Sequence, residues 1–382
     1  MIAFIIRRIF RGLVALFLFV TFVFFVSQIL IPHTFTVQFS MGLNRDAREE
    51  MEHELGLDLP LWQQYLNWMG GLLKGSLGTS YYGFPVMERI LSVLPPTLLV
   101  FLTGTVIAFL IGQWLGKVTG WRGSGLLSGS ATFSAIALYT TFPPWLSFLM
   151  IYFFVRRLEL FPSLLVFYNN PLLAFVEQHS EDPNVLTFDE ITLYILISVL
   201  GMLVVMFILN KFFRRSKRQR LLMILSSFVV VGVTAGSWYL FGIGPQMLSV
   251  LHFAGLPILT YVLLSFGETT LIMQTSMQDT VSEEYITTAR AKGLPSYVIR
   301  DKHAARNALI PVFSRLVVSI PYLLTGIVII ERSLNWHGIG DAMLMHLYNQ
   351  DMPVVMGALV LIGLVSMIAR LLLEILELAL DP

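Results

Sequence analysis

Long apolar runs separated by short clusters of charge are the dominant pattern along this chain. Windows of about 20 apolar residues, the length a helix needs to cross hydrocarbon, fall at 9–31, 93–116, 127–155, 190–210, 221–241, 248–274, 309–331 and 353–376. Each predicts a transmembrane helix, because a backbone in lipid must satisfy its own N–H and C=O groups. The expected fold class is therefore all-α: a polytopic membrane bundle of about eight transmembrane helices. The run that opens at Ile9 is longer than a secretory signal core, and no small-residue cleavage site follows it. It reads as a retained first span.

The charges between the runs orient the bundle. With the N-terminus inside, the inner segments hold Arg7, Arg8 and Arg11; Lys117 and Arg122; Lys211, Arg214, Arg215, Lys217, Arg218 and Arg220; and Arg290, Lys292, Arg300, Lys302 and Arg306. The outer segments hold Arg45, Arg48, Lys74, Arg89, Arg156, Arg157 and Arg332. The first set is more than twice the second, so the positive-inside rule places both termini in the cytoplasm. The outer side is acidic instead, with Asp46, Glu49, Glu50, Glu52, Glu54 and Asp58 in one loop and Glu181, Asp182, Asp189 and Glu190 in another. The expected layout is a first transmembrane helix (1–31), an extracytoplasmic segment (32–92) and a transmembrane domain (93–382). That domain includes a helical hairpin (190–241) and a cytoplasmic segment (283–306). Within 32–92, RDAREEMEHELGL predicts a charged helix, and Trp62, Tyr65, Trp68, Tyr81 and Tyr82 suit a membrane interface.

Composition narrows the function classes. Of 382 residues, 56% are hydrophobic and 13% charged, against about 25% charged in soluble domains. A net charge of +1 gives no reason to expect a nucleic-acid partner. The absence of cysteine excludes disulfides, thiolate metal ligands and cysteine nucleophiles. No GxxxxGK[ST] phosphate loop, HExxH or GxSxG occurs, so neither ATP hydrolysis nor a catalytic or metal site is expected of this chain. Glu268 reads as the one carboxylate inside a span without a route to the surface, which makes it a candidate pathway residue. The competing reading has it face water near the inner mouth or pair with a neighbouring subunit. Asp341 and Asp351 read as solvated loop acids bordering the outer opening.

The segment 283–311, EEYITTARAKGLPSYVIRDKHAARNALIP, lies between two spans on the inner side. Gly293 suits a positive φ and Pro295 the first turn of a second helix, which predicts helix, tight turn, helix. Such a rigid piece, tied to a span at each end, could transmit a push from a soluble partner. An interfacial amphipathic helix that snorkels its Lys and Arg into headgroups fits the pattern equally well.

TTARAKGL followed by HAARNALIP resembles the cytoplasmic coupling loop of the dipeptide/oligopeptide permease family of ABC importers. The shared positions are Tyr285, Thr288, Ala289, Arg290, Ala291, Lys292 and Gly293, then His303, Ala304, Asn307, Ala308 and Pro311. ELGLDLPLWQQYLNWMGGLLKGSLGTS, FPVMERILSVLPPTLLV, NWHGIGDAM and DMPVVMGALVLIG are similar to further family segments, so the resemblance covers 1–155 and 248–382. It implies the permease subunit of an ATP-driven importer in a bacterial or archaeal cell membrane. The implied partners are a second permease, two ATPase subunits and an extracytoplasmic solute-binding protein. The chain itself binds no cofactor, and ATP and Mg²⁺ serve the ATPases. Carried over, the ATPase-coupling residues are Thr288, Ala289, Arg290, Ala291, Lys292, Gly293 and Leu294, with Gly293 giving the turn and the alanines close approach. His303 and Asn307 read as local hydrogen-bonders.

Departures from the family pattern are Thr287 for a glutamate, Gln274 for an arginine, His337 for a proline, IPHTF for PGDP and Glu377 for a tyrosine. The largest is the stretch from about 160 to 247, which adds a hairpin to the usual six spans. A lipid-facing brace and a docking site for another subunit are its two readings. The solute implied is a peptide, with oligosaccharides, opines and nickel complexes as alternatives in the same role. A secondary transporter would show paired repeats and broken spans in corresponding halves, and an intramembrane enzyme a clustered polar constellation. The sequence displays neither.

Overall fold

The computed structural model describes residues 2–30, 53, 56, 58–123, 125–162, 186–213 and 219–380. In chain order its helices are α1 (Ile2–Leu30), α2 (Leu61–Leu73), α3 (Val86–Arg122), α4 (Leu126–Tyr139), α5 (Pro143–Met150, continued by π-helical turns to Arg157), α6 (Phe188–Phe213) and α7 (Gln219–Leu240). α8 (Gly244–Val281), α9 (Glu284–Ala291), α10 (Ala305–Ser333), α11 (Ile339–Tyr348) and α12 (Met352–Leu380) follow. The architecture is all-α, as expected. Among the described residues, six helices are long and apolar enough to cross a membrane, or seven if a bent pair counts as one. The expected span 309–331 falls within α10. The predicted charged helix in 45–57 lies outside the described residues except at positions 53 and 56.

α3 and α8 form the central pair. They have 37 and 38 residues, about 55 Å of helix each, well beyond the ~30 Å of a hydrocarbon core. The windows 93–116 and 248–274 were thus too short. Polar residues and prolines at their ends stop the apolar pattern without stopping the helix. Along α3, Gly104, Ala108, Gly112, Gly116 and Gly120 are all buried, and their spacing of four keeps them on one face. A Cβ on Gly116 would lie 2.5 Å from the Thr270 carbonyl oxygen, and one on Gly120 2.6 Å from that of Gln274. Gly104 accommodates the ring of Tyr261, whose hydroxyl shares a 3.0 Å hydrogen bond with Thr105 Oγ1.

The remaining helices pack around this pair. α4 and α10 lie against α8, α12 against α10, and α1 against α12. α1 and α12 run antiparallel, Arg8 Nε meeting Glu374 Oε2 at 3.1 Å at one end and Ser27 Oγ meeting Met356 Sδ at 3.1 Å nearer the other. On α2, Tyr65 shares a 2.8 Å hydrogen bond with Thr21 of α1 and Trp68 packs on Phe24, whereas Trp62 stays exposed.

The expected single span 127–155 is instead two helices, Ser128–Tyr139 and Pro143–Arg157, meeting at 107°. Pro143 and Pro144 have no N–H to continue the ladder. Thr140 and Thr141 donate their hydroxyls back to the carbonyls of Ile136 (2.8 Å) and Ala137 (2.5 Å), so the broken backbone keeps its hydrogen bonds. The sequence therefore hid one sharp bend.

The hairpin α6–α7 attaches by one end. Ile191, Thr192, Ile195 and Leu196 are buried near the start of α6, and Trp238 Nε1 donates to Ser198 Oγ at 3.1 Å near the end of α7. Beyond that point Val204, Phe207, Phe212, Leu225, Phe228 and Val229 are exposed, an apolar surface that suits lipid or another subunit alike.

The stripe on α3 gives a direct test. Gly116→Leu is expected to destabilise the protein by about 1–3 kcal/mol through overpacking, read as a lower melting temperature in detergent. Gly232→Ala on α7, where a Cβ meets nothing within 4 Å, is expected to leave it unchanged or raise it by up to about 1 kcal/mol of helix propensity.

Candidate functional site

The segment after α8 folds as helix, glycine turn, helix. α9 ends in a Schellman motif: the Leu294 N–H donates to the Ala289 carbonyl (3.3 Å) and the Gly293 N–H to that of Arg290 (2.9 Å). Gly293 has φ +71°, a left-handed conformation that a Cβ disfavours by about 1–2 kcal/mol. Pro295 then leads into Ser296–Val298 and a π-helical stretch, Ile299–Ala304, that feeds α10.

The two faces of this elbow differ. Ile286 and Ala289 are buried with Met273, Met277, Ile299, Ala304 and Val312, beside Trp121 of α3. Thr288, Arg290, Ala291, Lys292, Gly293 and Leu294 are exposed. The two alanines therefore separate: Ala291 lies on the open surface, while Ala289 packs into its own bundle and presents no outward face. Lys117 Nζ of α3 reaches Asp301 Oδ1 at 3.0 Å, and the Arg290 guanidinium lies 5.8 Å from the centre of the Trp121 ring. Arg300 forks onto both oxygens of Asp301 at 2.9 Å. That hydrogen bonding, with Lys117 adding to it, pulls the Asp301 carboxyl down to about 2, so the ties persist across the physiological range. His303 is exposed, and Asn307 Nδ2 donates to the Tyr285 hydroxyl at 2.9 Å, a side-chain tie between α10 and α9.

Glu268, just past the midpoint of α8, does have a partner within its own chain. Arg315 Nε of α10 donates to Oε1 at 2.7 Å and Ser319 Oγ to Oε2 at 3.1 Å. Arg315 sits inside an apolar window and escaped notice among the loop charges.

The opposite end of the bundle holds two buried acids. Glu331, fully buried, accepts from Thr97 Oγ1 of α3 at 2.6 Å and from the Gly340 N–H at 2.7 Å. Thr97 Oγ1 in turn accepts from the Ile339 N–H (2.8 Å), and Trp336 Nε1 donates to the Pro96 carbonyl (3.1 Å). The NWHGIGDAM stretch is thereby pinned to the start of α3. Asp351 is also fully buried. It accepts from Ser80 Oγ (2.5 Å) and the Tyr81 N–H (3.1 Å), and lies 3.1 Å from His346 Nδ1. Asp341, 7% exposed, pairs with Arg332 Nη1 at 3.0 Å and faces His337 Nδ1 at 3.5 Å. Burial pushes the Asp341 carboxyl up, but His337 and Arg332 outweigh it and leave the group below its ordinary value. Neither aspartate is a solvated loop acid. The turn and corner around them fold over both side chains, which sequence spacing did not reveal.

Among the described residues no group of three or more His, Cys, Asp or Glu could hold a metal ion. The site is one of mechanical ties and buried polar contacts. A family model described as binding-protein-dependent transport system inner membrane component matches residues 104–382. The chain belongs to that family. A companion model for the N-terminal part of the same membrane components matches residues 1–93. The dipeptide transport system permease protein DppB of Lactococcus lactis is 26% identical over 384 residues, covering 100% of this chain and 99% of the relative. The oligopeptide transport system permease protein AppB of Bacillus subtilis is 26% identical over 385 residues with the same coverage. The probable D,D-dipeptide transport system permease protein DdpB of Escherichia coli is 27% identical over 336 residues, 87% of this chain and 83% of the relative. The two family models fall on the spans, the elbow and the buried acids alike.

For this permease, Glu331→Ala is expected to cost about 2–4 kcal/mol, since it leaves the Thr97 hydroxyl and the Gly340 N–H buried without an acceptor. A double-mutant cycle with Thr97→Val, read by thermal unfolding in detergent, should return a coupling of about 1–2 kcal/mol. Additive losses would show that the two groups act separately.

Proposed function

We propose that this chain is the permease subunit of an ATP-driven importer for peptides. It forms the translocation pathway with a second permease and takes its power stroke from two separate ATPase subunits at the elbow. An extracytoplasmic binding protein delivers the solute. Peptide as the solute is supported by the similarity to dipeptide and oligopeptide transport system permeases. The spans number eight on this reading, counting the bent α4–α5 pair and α10. Both termini are cytoplasmic by the placement of Arg and Lys, in a cell membrane of bacterial or archaeal kind. On this reading the chain divides into a first transmembrane helix (1–31), an extracytoplasmic segment (32–92) and a transmembrane domain (93–382), with α3 already begun at Val86. ATP and Mg²⁺ belong to the ATPase subunits.

The observation that carries this reading is the two-faced elbow. An interfacial amphipathic helix needs an apolar outer face to sink into lipid. On α9 the aliphatic residues Ile286 and Ala289 point inward, and the exposed positions are Glu284, Tyr285, Thr287, Thr288, Arg290 and Ala291, with Tyr285 the one large apolar side chain among them. Such a face fits a protein groove better than a bilayer. Exposed Leu294 and Tyr297 at the turn offer the apolar anchors for one. A push on the elbow passes through Ile286, the Lys117–Asp301 pair and the Arg290–Trp121 contact into α3 and α8. These two move as one body because of the glycine stripe. At their far end Thr97 and Pro96 carry Glu331 and Trp336, so the stroke reaches the other face of the bundle.

Gly293→Pro, whose fixed φ near −65° cannot replace +71°, is expected to abolish uptake while membrane insertion survives. Lys292→Cys should cross-link to an ATPase subunit in the assembled complex. Normal uptake by the proline variant, or a Lys292→Cys thiol labelled only from outside the cell, would overturn the assignment.

A further inference from the structure

The side of the bundle between α3, α8 and α10 carries polar groups within the apolar lengths of these helices. Thr105, Ser265, Thr269 and Ser319 line one cleft together with Glu268 and Arg315. This cleft holds about 20 Å³. Ser265 is shared with a wider cleft of about 500 Å³ that begins at the bend, at Tyr139, Thr140 and Thr141, and does not reach Arg315. The two clefts meet at Ser265 in one track whose lining is largely apolar and carries these polar groups.

Arg315 stands in this track. Its side chain is 54% exposed although Nε already donates to Glu268. A guanidinium inside a membrane span is too costly to leave against lipid, so it faces water or another polypeptide. Glu268 is in the reverse position. Its side chain is 14% exposed, and each of its oxygens accepts a bond, from Arg315 and from Ser319. The acid is therefore the holder and the arginine the group presented to the cleft.

We propose that Arg315 is a recognition point for a carboxylate on the passing solute, with Glu268 as its positioning residue. For a peptide this carboxylate is the free C-terminus. The inference rests on the permease reading above and deepens it. A planar fork of N–H donors matches a carboxylate in two parallel hydrogen bonds, which a point-charge ammonium does not reproduce. Glu268 keeps one donor occupied and Tyr139 also hydrogen-bonds to the guanidinium, so an arriving carboxylate shares it instead of owning it. A site on a transport route has to bind well enough to admit the solute and weakly enough to release it. The Glu268–Arg315–Ser319 arrangement meets both needs: the guanidinium stays oriented when the site is empty, and a competing anion is at hand when it is full.

The test uses the complete importer in proteoliposomes, with initial uptake of one short peptide measured as the free acid and as its C-terminal amide. Arg315→Gln is expected to reduce uptake of the acid about tenfold more than uptake of the amide, the loss of one charge-assisted contact. Arg315→Lys should fall between wild type and Arg315→Gln. Glu268→Gln should lower both the half-saturation concentration and the maximal rate for the acid, because the released guanidinium holds its ligand longer. Equal losses for acid and amide would make Arg315 a contact to the second permease or a structural residue, and would overturn the proposal, as would no loss at all. If the binding protein refuses the amide, the acid alone decides: equal defects in Arg315→Gln and Arg315→Lys count against it. Wild-type vesicles that import no peptide would sink the permease reading itself. Wild-type import with no acid preference lost on substitution would sink only the role of Arg315.

Discussion

Apolar side chains gain nothing by leaving lipid for one another, so two spans hold together where their backbones come close. α3 and α8 do this along Gly104, Gly112, Gly116 and Gly120, where a single added carbon would collide with Tyr261, Thr269 or the carbonyls of Thr270 and Gln274. The rest of the bundle depends on that contact. α4, α6 and α10 are laid against one or both members of the pair, and α7 reaches it through α6 and α8. The elbow and the buried acids sit at its two ends. A pair that separated would carry displacement from neither end to the other.

The two ends are built from different chemistry. At the elbow the ties are ionic and partly exposed: Lys117 to Asp301, Arg300 to Asp301, Arg290 over Trp121. Pairs of this kind are individually weak and screened by solvent. They suit a junction that has to flex against a moving neighbour. At the far end Glu331 and Asp351 are buried and held by hydroxyls and backbone N–H groups. Removing one member there strands the others without water, so these contacts fix a register and resist being broken singly. The two ends thus differ in how readily single contacts can be exchanged.

Much of this was legible in the sequence, because a membrane imposes its own period on the chain. The spans, the hairpin and the elbow at Gly293 are each marked by local features, and the structure places a φ of +71° at that glycine. The stripe on α3 was equally local, small residues every fourth position from Gly104 to Gly120, but an apolar window counts glycine as neutral and passes over it. Glu331 looked like the polar end of a span, and Arg315 vanished inside one. Both acquire meaning only through residues distant in the chain, Thr97 and Glu268. The bend at Pro143 was signalled by two adjacent prolines, yet continuous hydropathy across 127–155 concealed it. Burial of Asp341 and Asp351 depends on how loops fold over them, and no spacing encodes that.

The antiparallel pairing of α1 with α12 bears on how the protein is made. The first helix leaves the ribosome long before the last exists. At roughly 5–20 residues per second the interval between them is on the order of tens of seconds. Throughout it, the face of α1 that will meet α12 lies bare in the bilayer. One polar side chain there is suited to that delay. Ser27, which will meet Met356, donates its hydroxyl to the carbonyl of Phe24 at 2.8 Å. The helix thus satisfies this group itself while α12 is still being translated.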